Sequence, residues 1–135
     1  MDLKNKIALV TGASRGLGKN SSLRLAEKGA DVIITYNRQA KTADAVVKEI
    51  EDRYKRSAAS LQLDVGSVGS FELFFERVSA VLKKKWHTDR FDFLVNNAGI
   101  SGRMTIDQMT EATFDNLFNV HFKGVYFLTQ KALPL

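Results

Sequence analysis

Four short apolar runs, separated by amphipathic stretches, set the architecture. Ile7-Ala8-Leu9-Val10 is continuously apolar, as expected of a strand covered on both faces. Val32-Ile33-Ile34-Thr35-Tyr36 is rich in β-branched residues and predicts a second strand. Residues 59–65 and 91–95 predict a third and a fourth. Between these runs the apolar positions recur at helical spacing. Residues 16–28 carry Leu17, Leu23, Leu25 and Ala26, with Gly29 placed to end the helix. Residues 40–54 carry Ala43, Val46, Val47 and Ile50 on one stripe. Residues 68–85 carry Val68, Phe71, Phe74, Phe75, Val78, Val81 and Leu82. A last helix is predicted over residues 111–133, with Thr110 as its N-terminal cap.

The order is therefore βαβαβαβα, with no internal repeat. Alternation of this kind implies one α/β domain, residues 1–135, with a parallel sheet and helices on both faces. Doubly wound sheets bind ligands beyond the carboxyl ends of their strands. The loop from Gly12 to Gly18 lies at one such end, and the loop after Val95 at another.

Composition narrows the function classes. Hydrophobic residues make up 44% and charged residues 26%, the balance of a soluble globular chain. There is no cysteine, so there is no disulfide framework and no thiolate zinc site. His87 and His121 are the only histidines and make no metal-ligand spacing, so no metal is expected. No apolar run is long enough for a spanning helix or a signal peptide, and a soluble, cytoplasmic protein with no membrane partner is expected. The net charge of +5 comes from 20 Lys and Arg against 15 Asp and Glu. Its densest run, Lys83-Lys84-Lys85, falls at a predicted helix end, where lysines suit the terminal carbonyls. That is a solvated surface rather than a nucleic-acid face, which needs basic residues clustered together.

The stretch "IALVTGASRGLGKN" carries the chemistry. Gly18-Lys19 suggests an ATP-binding loop, G-x-x-x-x-G-K-[ST], but fails it twice. Asn20 has no hydroxyl to offer a magnesium ion, and Ala13 stands where the first glycine belongs. The dinucleotide fingerprint G-x-G-x-x-G is the other rival, and here its spacing is reversed as Gly12-x-x-x-Gly16-x-Gly18. The physics is shared. One glycine lets the strand turn sharply, one admits a pyrophosphate to the backbone, and one lets the helix lie close to the strand. Backbone N–H groups at the helix start then meet the phosphate.

"TGASRGLG" resembles the TGxxxGxG motif of the short-chain dehydrogenases/reductases. "NNAG" at Asn96 to Gly99 resembles the family's second motif, "LDV" at Leu63 to Val65 the end of its third strand, and "FDNLFNVHFKGVYFLTQ" its fifth-helix region. The matches fall in family order and cover essentially the whole chain. The resemblance implies a Rossmann-type doubly wound sheet with strand order 3-2-1-4. It also implies roles: Gly12, Ser14, Arg15, Gly16, Leu17 and Gly18 at the pyrophosphate and adenosine ribose; Asp64 and Val65 at the adenine; Asn97, Ala98 and Gly99 at the nicotinamide ribose. Asn96 is expected to tie neighbouring strands together, and Lys19 to be incidental on its helix. The loop "SGRM" at Ser101 to Met104 is expected to border the substrate pocket; Met104 and Ile106 either meet substrate there or tuck onto the body.

NAD-binding relatives place an acid at the end of the second strand, bonded to the ribose 2′-hydroxyl. Here that place is Tyr36, and Tyr36-Asn37-Arg38 contains no acid. Arg38 and Arg15 can instead pair with a 2′-phosphate as bidentate donors. In the family, a basic residue before the second motif glycine goes with NADP, and Arg15 stands there. NADP is the expected cofactor in preference to NAD.

The family's proton chemistry uses a Tyr-x-x-x-Lys pair and an upstream Ser. None of Tyr36, Tyr54 and Tyr126 has a lysine four residues on. The chain stops at "ALPL", where the family's fifth strand begins, so it reads as the first four βα units, truncated before strand five and inactive alone. That would leave residues 91–95 as an apolar edge. His121 stands where the family's fifth helix carries the Asn of VNxxG. Two roles are open to it: a catalytic one, keeping a water site or joining a proton relay, or a local hydrogen bond in a helix. Phe118, Val125 and Phe127 lie either on an oligomer surface or in the core, and homo-oligomers are common in the family. Three functions follow: an NADP(H)-dependent oxidoreductase acting on a small-molecule carbonyl or secondary alcohol, a non-catalytic dinucleotide-binding sensor, or an inert fragment.

Overall fold

β1 (Ile7–Val10), β2 (Asp31–Tyr36), β3 (Ala58–Gln62) and β4 (Phe93–Val95) form one parallel sheet in the computed structural model, which describes residues 2–135. Their order is β3-β2-β1-β4, as the resemblance implies. Val10 pairs with Ile34 on one side and with Val95 on the other, so β1 and β4 finish level while β2 runs on to Tyr36. The glycine loop and the NNAG loop therefore leave the sheet side by side.

Alternation along the strands feeds two cores. Val10, Val32 and Ile34 face α1 (Gly16–Glu27) and α2 (Ala40–Tyr54), and pack with Ala26, Ala43, Val46 and Ile50. Ile7, Leu9 and Ile33 face the opposite way. They pack with Phe71, Phe74, Phe75 and Val78 of α3 (Phe71–Val81). Beyond α4 (Glu111–Phe118), the helix α5 (Gly124–Ala132) adds Leu128 and Ala132 to the same core. Each large apolar side chain fully buried in this way contributes about 1.5–3 kcal/mol.

Several boundaries depart from the sequence pattern, each for a visible reason. The third strand stops at Gln62 because its partner strand stops at Tyr36. Asp64 then takes the Gly66 N–H at 2.9 Å in a local turn. The fourth strand starts at Phe93, since Phe91 donates its N–H to Leu135 rather than to the ladder. The third predicted helix opens as a 3₁₀ turn, Val68–Ser70, and closes as a wide π turn, Leu82–Trp86. The last predicted helix is interrupted by a second π turn, Asn119–Lys123. A Cβ on Gly124 would strike the carbonyl of Val65, so the backbone passes there against the loop after β3. On α1, Leu17 is 79% exposed and Ser22 is buried in its place, its hydroxyl donating to the Gly18 carbonyl. Gly29 ends α1 as expected, at φ 99°. Thr110 caps α4 as expected, accepting from Thr113 N–H.

Candidate dinucleotide-binding cleft

At Thr11 the first strand leaves the sheet, and three neutral side chains fix where the loops go. Thr11 Oγ1 accepts the N–H groups of Asn97 and Ala98, both at 3.0 Å. Asn97 answers with its side-chain amide, which donates to the carbonyls of Thr11 at 2.8 Å and Gly12 at 3.1 Å. Thr35 Oγ1, from β2, accepts the Gly12 N–H at 3.1 Å. Close approach is built in. Gly12 sits at φ 62°, and a Cβ there would lie 2.8 Å from the Ala98 Cα. A Cβ on Gly18 would run into the Asn97 amide and come within 2.6 Å of the Gly12 carbonyl.

These contacts shape a cleft of about 660 Å³ across the carboxyl ends of the strands. Its walls bring together every cofactor residue expected from the sequence: Gly12, Ser14, Arg15, Gly16, Leu17 and Gly18 from the first loop; Tyr36, Asn37 and Arg38 after β2; Asp64 and Val65 after β3; Asn97, Ala98 and Gly99 after β4. The size is that of a site for a small organic ligand. Leu17, out of place in a buried helix face, is a wall of this cleft.

The N-terminus of α1 opens into it. No side chain caps that helix, and its first turn holds no acid. Its first N–H groups are thus left for an anion, with the helix dipole in support. Gly16, at φ 59°, has nothing within 4 Å of where a Cβ would sit, so the backbone there is bare toward the cleft. Among the described residues, Arg15 and Arg38 pair with no carboxylate. Two unpaired guanidinium groups near an uncapped helix start fit a ligand with more than one phosphate. Lys19 turns away to Glu49 on α2 at 2.8 Å. No group of three or more metal-binding side chains occurs among the described residues.

His121 stands behind this cleft rather than in its wall. Its Nε2 lies 2.7 Å from the Ile100 carbonyl and 3.2 Å from the Ile100 N–H. One nitrogen cannot serve both, and the shorter contact assigns Nε2–H as donor to the carbonyl. The ring also covers Gly99, where a Cβ would sit 2.7 Å from the His121 Cε1. Asn96 does not tie strands together: its amide donates to Thr129 Oγ1 on α5 at 3.1 Å. Phe127 and Val125 are half-buried, Phe127 against the core, while Phe118 stays exposed. Met104 and Ile106 are exposed as well.

Sequence reasoning passed over Thr11, Thr35, Gln39, Leu63, Ile100 and Val120 as cleft residues or supports. Thr35 did carry a signal, as the one hydroxyl in the β-branched run 32–35.

Comparison with known proteins agrees with this geometry. The family model described as short chain dehydrogenase matches residues 6–135. The chain belongs to that family. It is 34% identical over 130 residues to a hydroxynaphthalene reductase-like protein, Arp2, of Metarhizium guizhouense, covering 96% of this chain and 46% of the relative. A short chain dehydrogenase from Burkholderia cenocepacia, solved in complex with NADP, superimposes with a TM-score of 0.87 at 37% identity, covering 99% of this chain and 52% of that one. The landomycin C-6 ketoreductase LanV, solved with NADP and rabelomycin, gives 0.93 at 34% identity, covering 98% and 54%. Two further similar structures also hold NADP. The chain spans about half the length of the proteins it matches. Among the described residues no helix is long and apolar enough to cross a membrane.

Proposed function

We propose that this chain is the cofactor-binding half of an NADP(H)-dependent carbonyl reductase or alcohol dehydrogenase, with a small-molecule ketone or secondary alcohol as substrate. The observation that carries this is the uncapped start of α1, flanked by unpaired Arg15 and Arg38 in a cleft with no acid at the end of β2. When bound, NADPH supplies the hydride. In this reading Gly16, Leu17 and Gly18 offer backbone N–H groups to the pyrophosphate. Arg15 and Arg38 take the 2′-phosphate, which a carboxylate at position 36 would repel. Asp64 and Val65 border the adenine, and Asn97, Ala98 and Gly99 form a shelf for the nicotinamide ribose. The Ser and the Tyr-x-x-x-Lys pair of the family, absent from these residues, then come from outside them. One similar protein is named a hydroxynaphthalene reductase-like protein and another a ketoreductase, which supports the carbonyl class.

We assign His121 a positioning role. Its Nε2–H, held on the Ile100 carbonyl, keeps the Ile100–Ser101 peptide in place beside Gly99 at the cleft. The reading includes a cytoplasmic homo-oligomer when full length. Phe114, Phe118, Phe122 and Tyr126, four residues apart and exposed, support a further contact surface there.

One titration tests the whole. NADPH and NADH fluorescence is followed on the parent and on His121→Ala, with the mass of the sample read by light scattering. Expected are at least tenfold tighter binding of NADPH than of NADH and a several-fold loss for both in the variant. Equal affinity for the two cofactors overturns the NADP assignment. An unchanged variant overturns the role of His121, and no binding at all favours a fragment without this function. A monomeric full-length protein overturns the oligomer.

A further inference from the structure

We infer that Thr35 is a positioning residue for the cofactor loop, setting the pyrophosphate end of the cleft from the adjacent strand β2. The inference rests on the functional reading above and deepens it.

The ladder between β1 and β2 ends at Val10 opposite Ile34. One residue later the first strand bends away, and Gly12 turns it at φ 62°. A peptide that leaves a ladder strands its N–H, and a buried N–H without an acceptor is costly. Thr35 supplies two acceptors in succession. Its Oγ1 takes the Gly12 N–H at 3.1 Å, and its main-chain carbonyl takes the Ala13 N–H at 2.9 Å. The side chain acts as an extra rung where the backbone can no longer provide one. Thr35 is 1% exposed, so water cannot take its place.

The orientation of the Gly12 peptide then propagates. The carbonyl of that peptide, from Thr11, accepts from the Asn97 amide at 2.8 Å, and the next one, from Gly12, accepts from the same amide at 3.1 Å and faces Gly18 across the turn. Holding Gly12 by its N–H therefore holds the start of α1 and the shelf at Asn97 in one register. Thr35 also directly precedes Tyr36-Asn37-Arg38, the other end of the cleft. No ligand needs to touch Thr35 for its hydroxyl to set the loop that the pyrophosphate meets.

The test uses NADPH and 2′-AMP, which carries the adenosine and the 2′-phosphate but no pyrophosphate. Binding of both is measured for the parent, Thr35→Val and Thr35→Ser. Thr35→Val keeps the shape and removes the acceptor; Thr35→Ser keeps the acceptor. The expected result is about tenfold weaker NADPH binding in Thr35→Val. Thr35→Ser stays within twofold of the parent, and 2′-AMP affinity is equal in all three. Unchanged NADPH binding in Thr35→Val overturns the inference, and so does failure of Thr35→Ser to restore it. An equal loss of 2′-AMP binding also overturns it, since Thr35 would then merely support the end of β2. If Thr35→Val does not fold, Thr35→Ala replaces it with the same expectations. A parent that binds no NADPH overturns the functional reading, and this inference with it. A parent that binds while Thr35→Val binds equally well overturns the inference alone.

Discussion

The two ends of the sheet follow opposite plans. At the amino ends, charges are consumed. Asp31 is buried and accepts from Ser57 N–H at 2.8 Å, Arg56 at 2.8 Å and the Trp86 indole at 3.0 Å. Lys85 bridges Glu51 and the Ala58 carbonyl. Asp92 takes Lys6 at 2.7 Å and the Ile7 N–H at 2.9 Å. At the carboxyl ends, the supports Thr11, Thr35 and Asn97 are neutral and bond mostly to backbone. Among the described residues, Arg15 and Arg38 pair with no carboxylate there, and no side chain caps the start of α1. One end spends its polar groups on closure. The other uses neutral groups to hold a shape and keeps its positive charge in reserve, a division suited to binding beyond the carboxyl ends.

The contrast breaks most sharply at Gly18. Gly18→Ala places a methyl against the Asn97 amide and the Gly12 carbonyl, so one loop must move. NADPH affinity is expected to fall by about a hundredfold, with a stability loss of about 1–3 kcal/mol, by cofactor titration and urea melting. Retained affinity would mean that the loops are not interlocked. Asp31→Ala is the converse. It leaves the indole N–H, Arg56 and the Ser57 N–H short of an acceptor, and about 2–3 kcal/mol of stability should go. NADPH affinity of the folded fraction should stay within twofold; a parallel loss of binding would show that the two ends are coupled.

The smallest effect is one of pH. Partial burial raises the carboxyl pKa of Asp92, but the Lys6 hydrogen bond, the Ile7 N–H and the Lys6 charge together outweigh it. The group sits below its usual value. A depressed folded-state pKa contributes stability that is present above the unfolded value of about 3.9 and is lost as pH falls through the folded one. Asp92→Asn should therefore cost about 0.5 kcal/mol at neutral pH and flatten the acid limb of a stability–pH curve below about pH 4. An unchanged limb would assign the acid sensitivity to other carboxylates.

Legibility in the sequence follows the same division. Strands buried on both faces announce themselves by apolar runs, and the helices by their stripes, so the element order and both cores could be read directly. The glycines of the first loop were legible as well, because close approach restricts residue type, whereas the NNAG loop was legible only through the family resemblance. What escaped depends on contacts between distant segments. Thr35 looks like any β-branched strand residue until Gly12 is seen turning beside it. Leu17 fits a helical stripe, yet its place at the helix start turns it into the cleft. The π turns leave no mark on the apolar period. They are fixed by neighbours, such as Val65 against Gly124 and Glu51 with Lys85.

The π turn at Asn119–Lys123 has a geometric consequence. In an α-helix a four-residue step overshoots one full revolution by about 40°, so a row of side chains four apart winds steadily around the axis. The wider turn undershoots and cancels part of that drift. Phe114, Phe118, Phe122 and Tyr126 span this correction, and the Phe118 and Phe122 rings stand 5.2 Å apart across it. The bulge works as a phase adjustment that lessens the winding of the row around the helix axis.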